Sequence, residues 1–130
     1  MINIRGPGNT VNQKKAKQLL PSENITLHSA LKFAFKSPRN RNYAVYNNGN
    51  FVGFALLTPN NKTLNLNLIA TKPKRGYGKV LMNKIKANAR ANGFHHINLY
   101  AVNNAVEFYT KQNFKKVPFS QTFRFNLTTR

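Results

Sequence analysis

The stretch Leu64–Gly93, "LNLNLIATKPKRGYGKVLMNKIKANARANG", commits the chain to a strand, a tight turn and a helix in direct succession. Leu64, Leu66 and Leu68 alternate with Asn65 and Asn67, the two-residue period of a half-buried strand, before Ile69 and Ala70 become apolar on both faces. Past Gly76-Tyr77-Gly78 the period changes. Leu81, Ile85 and Ala89, with Met82 beside them, line one side of a helix, and Lys79, Asn83, Lys86 and Arg90 form the solvent side. Gly93 stands where a helix C-terminus needs a left-handed residue.

Around this unit the chain reads β-α-α-β-β-β-α-β-α-β-β. Ile2 to Arg5 is a short first strand, "TVNQKKAKQLL" from Thr10 to Leu20 a first helix closed by Pro21, and "ENITLHSALKFAFK" from Glu23 to Lys36 a second helix ended by Ser37-Pro38. Tyr43–Tyr46 and Phe51–Leu57 are strands joined through Asn47-Asn48-Gly49-Asn50, where Asn-Gly accepts the positive φ angles of a tight hairpin. A strand at His96–Val102, a helix at Asn104–Gln112, a strand at Phe114–Val117 and the alternating "QTFRFNLT" complete the order. Such a mixture predicts an α/β or α+β layer fold, a mixed central sheet flanked by about four helices, and 130 residues suit a single domain over 1–130.

Composition narrows function more by charge than by anything else. Twenty-one Lys and Arg stand against two acids, Glu23 and Glu107, for a net charge of +19. Such self-repulsion is commonly offset by a polyanion, so association with nucleic acid or a ribonucleoprotein surface is expected; the cations are dispersed, which favours phosphate attraction over base reading. With no cysteine, and with only three histidines of which His95 and His96 are adjacent and so point to opposite faces, no metal site is expected. No apolar run reaches the roughly 18 residues that span a bilayer, and the start lacks a secretory core, so a soluble intracellular protein is expected, cytoplasmic, nuclear or virion-associated. The wealth of asparagine and lysine is what an AT-rich genome, viral ones included, encodes.

The basic turn between strand and helix has its own chemistry. A helix that opens straight out of a loop leaves its first N–H groups unpaired at the positive end of its dipole, which suits an anion. Gly76 and Gly78 would let a pyrophosphate come close to the backbone, with Lys72, Lys74, Arg75 and Lys79 adding positive field. A localisation-type basic cluster or a solvated turn remains an alternative reading of the turn taken alone. Spacing excludes a Walker-type phosphate loop, because no Gly-Lys-Ser/Thr follows.

Two motifs in the right order then carry a resemblance. The region from Asn42 to Val117 resembles the GNAT superfamily of N-acetyltransferases, whose fourth strand runs into a loop of pattern Arg/Gln-x-x-Gly-x-Gly/Ala. Pro73-Lys74-Arg75-Gly76-Tyr77-Gly78 fills it except at the first position, where Pro stands. The second hallmark of that family is similar to Asn103-Asn104-Ala105-Val106-Glu107-Phe108-Tyr109-Thr110-Lys111-Gln112-Asn113-Phe114, with Asn113 in place of a glycine. The resemblance implies a GNAT-like sheet of six to seven mostly antiparallel strands and acetyl-CoA as co-substrate. It implies that Lys74, Arg75, Gly76, Tyr77, Gly78 and Lys79 surround the pyrophosphate, chiefly through the amides of Arg75, Gly76, Gly78 and Lys79. Leu68, Ile69 and Ala70 would pair with the pantetheine arm where their strand splays from the one at His96, Asn103 or Asn104 would also hold the cofactor, and Tyr109 would be the general acid.

Chemistry agrees with that last role, since a departing thiolate of pKa about 8–9 needs a proton that a phenol can give. Tyr109 also fits an ordinary core aromatic. No carboxylate adjoins the site to deprotonate the acceptor, because the strand before the loop offers only Asn65 and Asn67. Water and backbone would relay the proton, or His28, His95 or His96 would serve, or catalysis has been lost. A site without acids also suits an acceptor that is not lysine-rich. Three readings follow: an acetyl-CoA-dependent N-acetyltransferase; a GNAT-fold binding or structural component of a nucleic-acid-containing assembly; or a plain nucleic-acid-binding protein.

Overall fold

A computed structural model of the chain describes residues 1–20, 28, 29, 31, 32, 35, 40–73, 76–100 and 106–128. The strands are β1 (Ile2–Gly8), β2 (Asn42–Asn47), β3 (Asn50–Asn60), β4 (Thr63–Thr71), β5 (His96–Tyr100), β6 (Lys115–Lys116) and β7 (Thr122–Asn126). The helices are α1 (Gln13–Leu19), α2 (Tyr77–Ala91) and α3 (Val106–Lys111). The second helix expected over 23–36 lies largely outside the described residues, of which His28, Ser29, Leu31, Lys32 and Phe35 are helical. The turn geometry follows the sequence signals: Asn48 and Gly49 have φ 52° and 86°, and Gly93 has φ 84° after α2.

Among the described residues the seven strands form one sheet in the order β1-β2-β3-β4-β5-β7-β6. Only β4 and β5 run parallel, joined by the α2 crossover; every other neighbour is antiparallel. This is the mixed central sheet that the element order predicts, and its mostly antiparallel, seven-stranded form is the one that the resemblance implies. Two apolar clusters lie on its two faces. One gathers Leu81, Met82, Ile85 and Ala89 of α2 with Val45, Leu57, Leu64, Leu66, Ile97, Leu99 and Phe114; the other gathers Ala16 of α1 and Leu31 with Ala44, Phe54, Leu56 and Leu68. Each fully buried Leu, Ile or Met of α2 contributes about 1.5–3 kcal/mol relative to exposure, which is what holds the helix on the sheet.

Two expectations from periodicity fail, each for a visible reason. Leu68 does not share a face with Leu64 and Leu66. Leu57 lies opposite Leu66 and Leu56 opposite Leu68, so Asn67 is an extra residue, a β-bulge that turns the rest of β4 over. Leu64 and Leu66 therefore pack under α2, and Leu68 joins the cluster on the α1 side. Lys86, placed by its spacing on the solvent side of α2, is half-buried instead. Its ammonium sits 3.9 Å from the Phe125 ring centroid and donates to the Gln112 carbonyl, with its stem laid along apolar surface. Burial, and then Arg90, lowers its pKa from the ordinary lysine value.

Candidate functional site

The bulge sets up the site. β4 pairs with β5 only over Thr63–Leu66 against His96–Leu99, yet it stays paired with β3 as far as Thr71. From Asn67 onward the two parallel strands part, and a pocket of about 270 Å³ opens there, lined by Asn65, Leu66, Asn67, Asn98, Leu99, Tyr100 and Thr122. Leu68, Ile69 and Ala70 lie on the departing arm of this wedge. Among the described residues their strand has no partner on that side, which leaves its outer backbone groups to an extended ligand.

The same arm runs into the glycine turn. Gly76 caps α2 in the left-handed conformation, φ 69° and ψ 14°, without any side-chain cap. The helical ladder begins with Val80 N–H donating to the Gly76 carbonyl at 3.2 Å; the N–H groups of Tyr77, Gly78 and Lys79 precede it and, among the described residues, have no backbone partner. The fifteen-residue helix behind them supplies a dipole with no acid in its first turn to cancel it. Lys74 and Arg75 lie outside the described residues.

The two glycines of the turn act for different reasons. Nothing lies within 4 Å of a Cβ built on Gly76, whose need for glycine is its positive φ. A Cβ on Gly78 would come within 3.1 Å of Phe108 Cζ and 3.8 Å of Thr71 Oγ1, so Gly78 is where α3 packs down onto the helix start. Tyr77 turns its ring into the core, 5% exposed, and its hydroxyl accepts from Asn47 Nδ2 at 2.9 Å. Only its backbone faces the turn.

Tyr109 follows Phe108 on α3 and is 9% exposed. Its ring meets Phe108 and Phe114 edge-on, at centroid distances of 5.3 and 5.8 Å. Burial pushes its phenol up to about 12, and among the described residues its hydroxyl has no hydrogen-bond partner. It is thus a core aromatic with a protonated hydroxyl left free. Asn113, φ 70°, makes the left-handed turn that returns the Phe114 N–H to the Tyr109 carbonyl at 3.0 Å. Asn103 and Asn104 lie outside the described residues.

Acids are scarce here as the composition requires. Glu107 is exposed and pairs with Lys111 at 3.5 Å on α3, so it offers no base to the wedge. His95 and His96 sit at the start of β5, away from the wedge mouth, with ring centroids 6.4 Å apart. Burial, then Arg124 and His95, lower the His96 pKa. Sequence reasoning passed over Arg124, whose Nε donates to Asn98 Oδ1 at 2.9 Å beside the wedge. It lies in the alternating stretch "QTFRFNLT", where no local signal reveals which strand lies next to it. Among the described residues there is no group of three or more His, Cys, Asp or Glu that could hold a metal, and no helix long and apolar enough to cross a membrane.

Known proteins match this arrangement. A family model described as an acetyltransferase (GNAT) domain matches residues 10–128. Similar solved structures include the ribosomal-protein-S18-alanine N-acetyltransferase of Escherichia coli, at TM-score 0.75 and 18% identity over 100% of this chain and 96% of that one. A GNAT family acetyltransferase of Brucella melitensis in complex with acetyl-CoA has TM-score 0.76 and 13% identity, covering 99% and 90%. An acetyltransferase of Bacillus subtilis in complex with CoA has TM-score 0.66 and 21% identity, covering 88% and 77%. No curated protein sequence matches the chain.

Proposed function

Because the chain belongs to the GNAT acetyltransferase family, we propose that residues 1–130 act as one N-acetyltransferase domain that moves an acetyl group from acetyl-CoA to an amine. The observation that carries this reading is the parting of β4 from β5 at Asn67, on the strand that leads to a helix start whose first N–H groups have no backbone partner among the described residues. Acetyl-CoA supplies the activated acetyl thioester. The first N–H groups of α2, those of Tyr77, Gly78 and Lys79, with Gly76, Lys74 and Arg75, hold its pyrophosphate; Leu68, Ile69 and Ala70 extend along its pantetheine arm; and Asn103 or Asn104 also holds the cofactor. The amine enters through the wedge from the side of Asn65 and Asn67. As nitrogen bonds to the thioester carbon and the carbon–sulfur bond breaks, the amine nitrogen loses a proton to water, the sulfur gains one from Tyr109, and the Tyr109 phenolate takes a proton back from solvent.

Two features fit Tyr109 to that role. Its raised pKa keeps the proton on the hydroxyl at any physiological pH. The burial that raises the phenol also raises the proton affinity of a thiolate formed beside it, which offsets the mismatch between the two groups. Acetyl-CoA at one hundred times its Kd is expected to stabilise the fold by about 2.7 kcal/mol, read as a rise in thermal midpoint. No rise at millimolar acetyl-CoA would sink the cofactor reading.

The net charge of +19 favours a second role alongside or instead of turnover, that of a basic module seated on nucleic acid or another polyanion. Exposed Lys14, Lys15 and Lys17 on α1 and Lys84 and Arg90 on α2 lie on opposite faces of the sheet, the distribution of a protein surrounded by phosphate rather than one that reads bases. Affinity for RNA or duplex DNA should fall steeply on a plot of log K against log salt, whether or not CoA is present. A flat slope would remove this role.

A further inference from the structure

The polar face of the sheet beside the wedge carries a row that runs across four strands. Asn65 of β4 pairs with Asn98 of β5, Asn98 with Arg124 of β7, and Arg124 with Lys115 of β6. Directly opposed residues share a face, and the neighbouring row Leu66, Leu99 and Phe123 is buried under α2, so the polar row faces the other way. Asn98 and Thr122 line the wedge pocket. Arg124 and Lys115 line a second pocket of about 420 Å³, and Arg124 lies two residues along β7 from Thr122.

Arg124 is held in this row by one bond, from Nε to Asn98 Oδ1, and among the described residues its two terminal nitrogens make none. Lys115 stands directly opposite it, an arrangement of like charges that costs stability unless something anionic lies between or above them. Among the described residues the chain supplies no such anion there: Glu107, their one acidic side chain, is committed to Lys111 on α3, which packs on the α2 side. Strands are spaced about 4.8 Å apart, so Arg124 and Lys115 stand one and two strands, roughly 5 and 10 Å, from the strand that borders the wedge.

We propose that the acceptor amine carries an anionic group several bonds from its nitrogen, a carboxylate or a phosphate, and that Arg124, positioned by Asn98 and joined by Lys115, binds it. This rests on the transferase reading and names the substrate class of the same site. A guanidinium with two free N–H donors on one edge matches the two oxygens of either group. A diamine or a lysine-rich tail would bring a second cation against Arg124 and Lys115 with no carboxylate to receive it.

Thiol release from acetyl-CoA, followed with γ-aminobutyrate, phosphoethanolamine, butylamine and putrescine, separates the possibilities. The anionic amines are expected to be preferred in kcat/KM by roughly tenfold or more, the worth of a hydrogen bond to a charged group, and to show which anion is favoured. R124Q should raise KM for them by about 10- to 100-fold, with kcat and the butylamine KM near wild type. Putrescine or butylamine used as well as the anionic amines would overturn the proposal, as would R124Q raising every KM alike. If no amine releases thiol, the transferase reading fails separately, and binding decides instead: in the presence of CoA, phosphoethanolamine or γ-aminobutyrate should raise the thermal midpoint of the wild type and not of R124Q. No rise in the wild type with either would also overturn the anion site.

Discussion

Tyr109→Phe is expected to lower kcat by roughly 10²- to 10⁴-fold, the range that a positioned acid contributes, while leaving stability and acetyl-CoA affinity near wild type. The reason for the split is geometric. The ring contributes all of the contacts to Phe108 and Phe114, and Phe retains both. The hydroxyl has no partner among the described residues, so its removal leaves no donor or acceptor stranded. A loss confined to kcat, measured by thiol release at saturating acetyl-CoA, therefore reports on the hydroxyl and not on packing. The pH dependence has a definite sign. With its pKa pushed up to about 12, Tyr109 keeps its proton past the ordinary phenol value of 10.0, so kcat should rise as the amine deprotonates and show no descending limb from Tyr109 below that value. Turnover within a few-fold of wild type in the Phe variant would strip Tyr109 of the acid role and leave it a core aromatic.

Much of this site was legible in the residues because its parts are local. The strand-to-helix switch at Gly76, the left-handed Asn113 and the Asn-Gly hairpin are each set by a few adjacent residues, and all three have the backbone that their sequence requires. What periodicity misplaced depended on partners distant in the chain. Leu68 has the same alternation as Leu66, and nothing near it marks Asn67 as the bulge; the bulge exists only relative to Leu56 and Leu57 on β3. Lys86 likewise has the spacing of a solvent residue, and is drawn inward by Phe125, nearly forty positions away. Gly78 is the instructive intermediate. Its motif position was legible, but the reading of it as room for a pyrophosphate missed Phe108, which only the packing of α3 brings within reach. The row from Asn65 to Lys115 was hidden for the same reason, since β7 lies between β5 and β6 in the sheet and not in the chain.

Phe114→Ala is expected to cost about 3–5 kcal/mol of stability, a large share of the total of roughly 5–15 kcal/mol that a domain holds. Phe114 is 2% exposed and touches both halves of the structure behind the site: Tyr109 at 5.8 Å between ring centroids on one side and Phe125 of β7 at 5.6 Å on the other. Lys86 completes the cage, its ammonium 5.5 Å from the Phe114 ring. Truncation would therefore leave a cavity beside a half-buried cation that then loses one of its two aromatic faces, a harsher outcome than an apolar void alone. Phe114→Leu, which fills most of the volume, should cost less than half as much. Urea unfolding of the three proteins measures both, and a loss near 1 kcal/mol for the Ala variant would mean that the site collapses to fill the gap. The net charge makes salt a further control: self-repulsion at +19 weakens the folded state at low ionic strength, so added salt should restore part of the loss in midpoint of the Ala variant, though not the cavity term. The Ala variant should also lose turnover beyond what its unfolded fraction explains, because Tyr109 would keep its hydroxyl but lose one of the two rings that aim it.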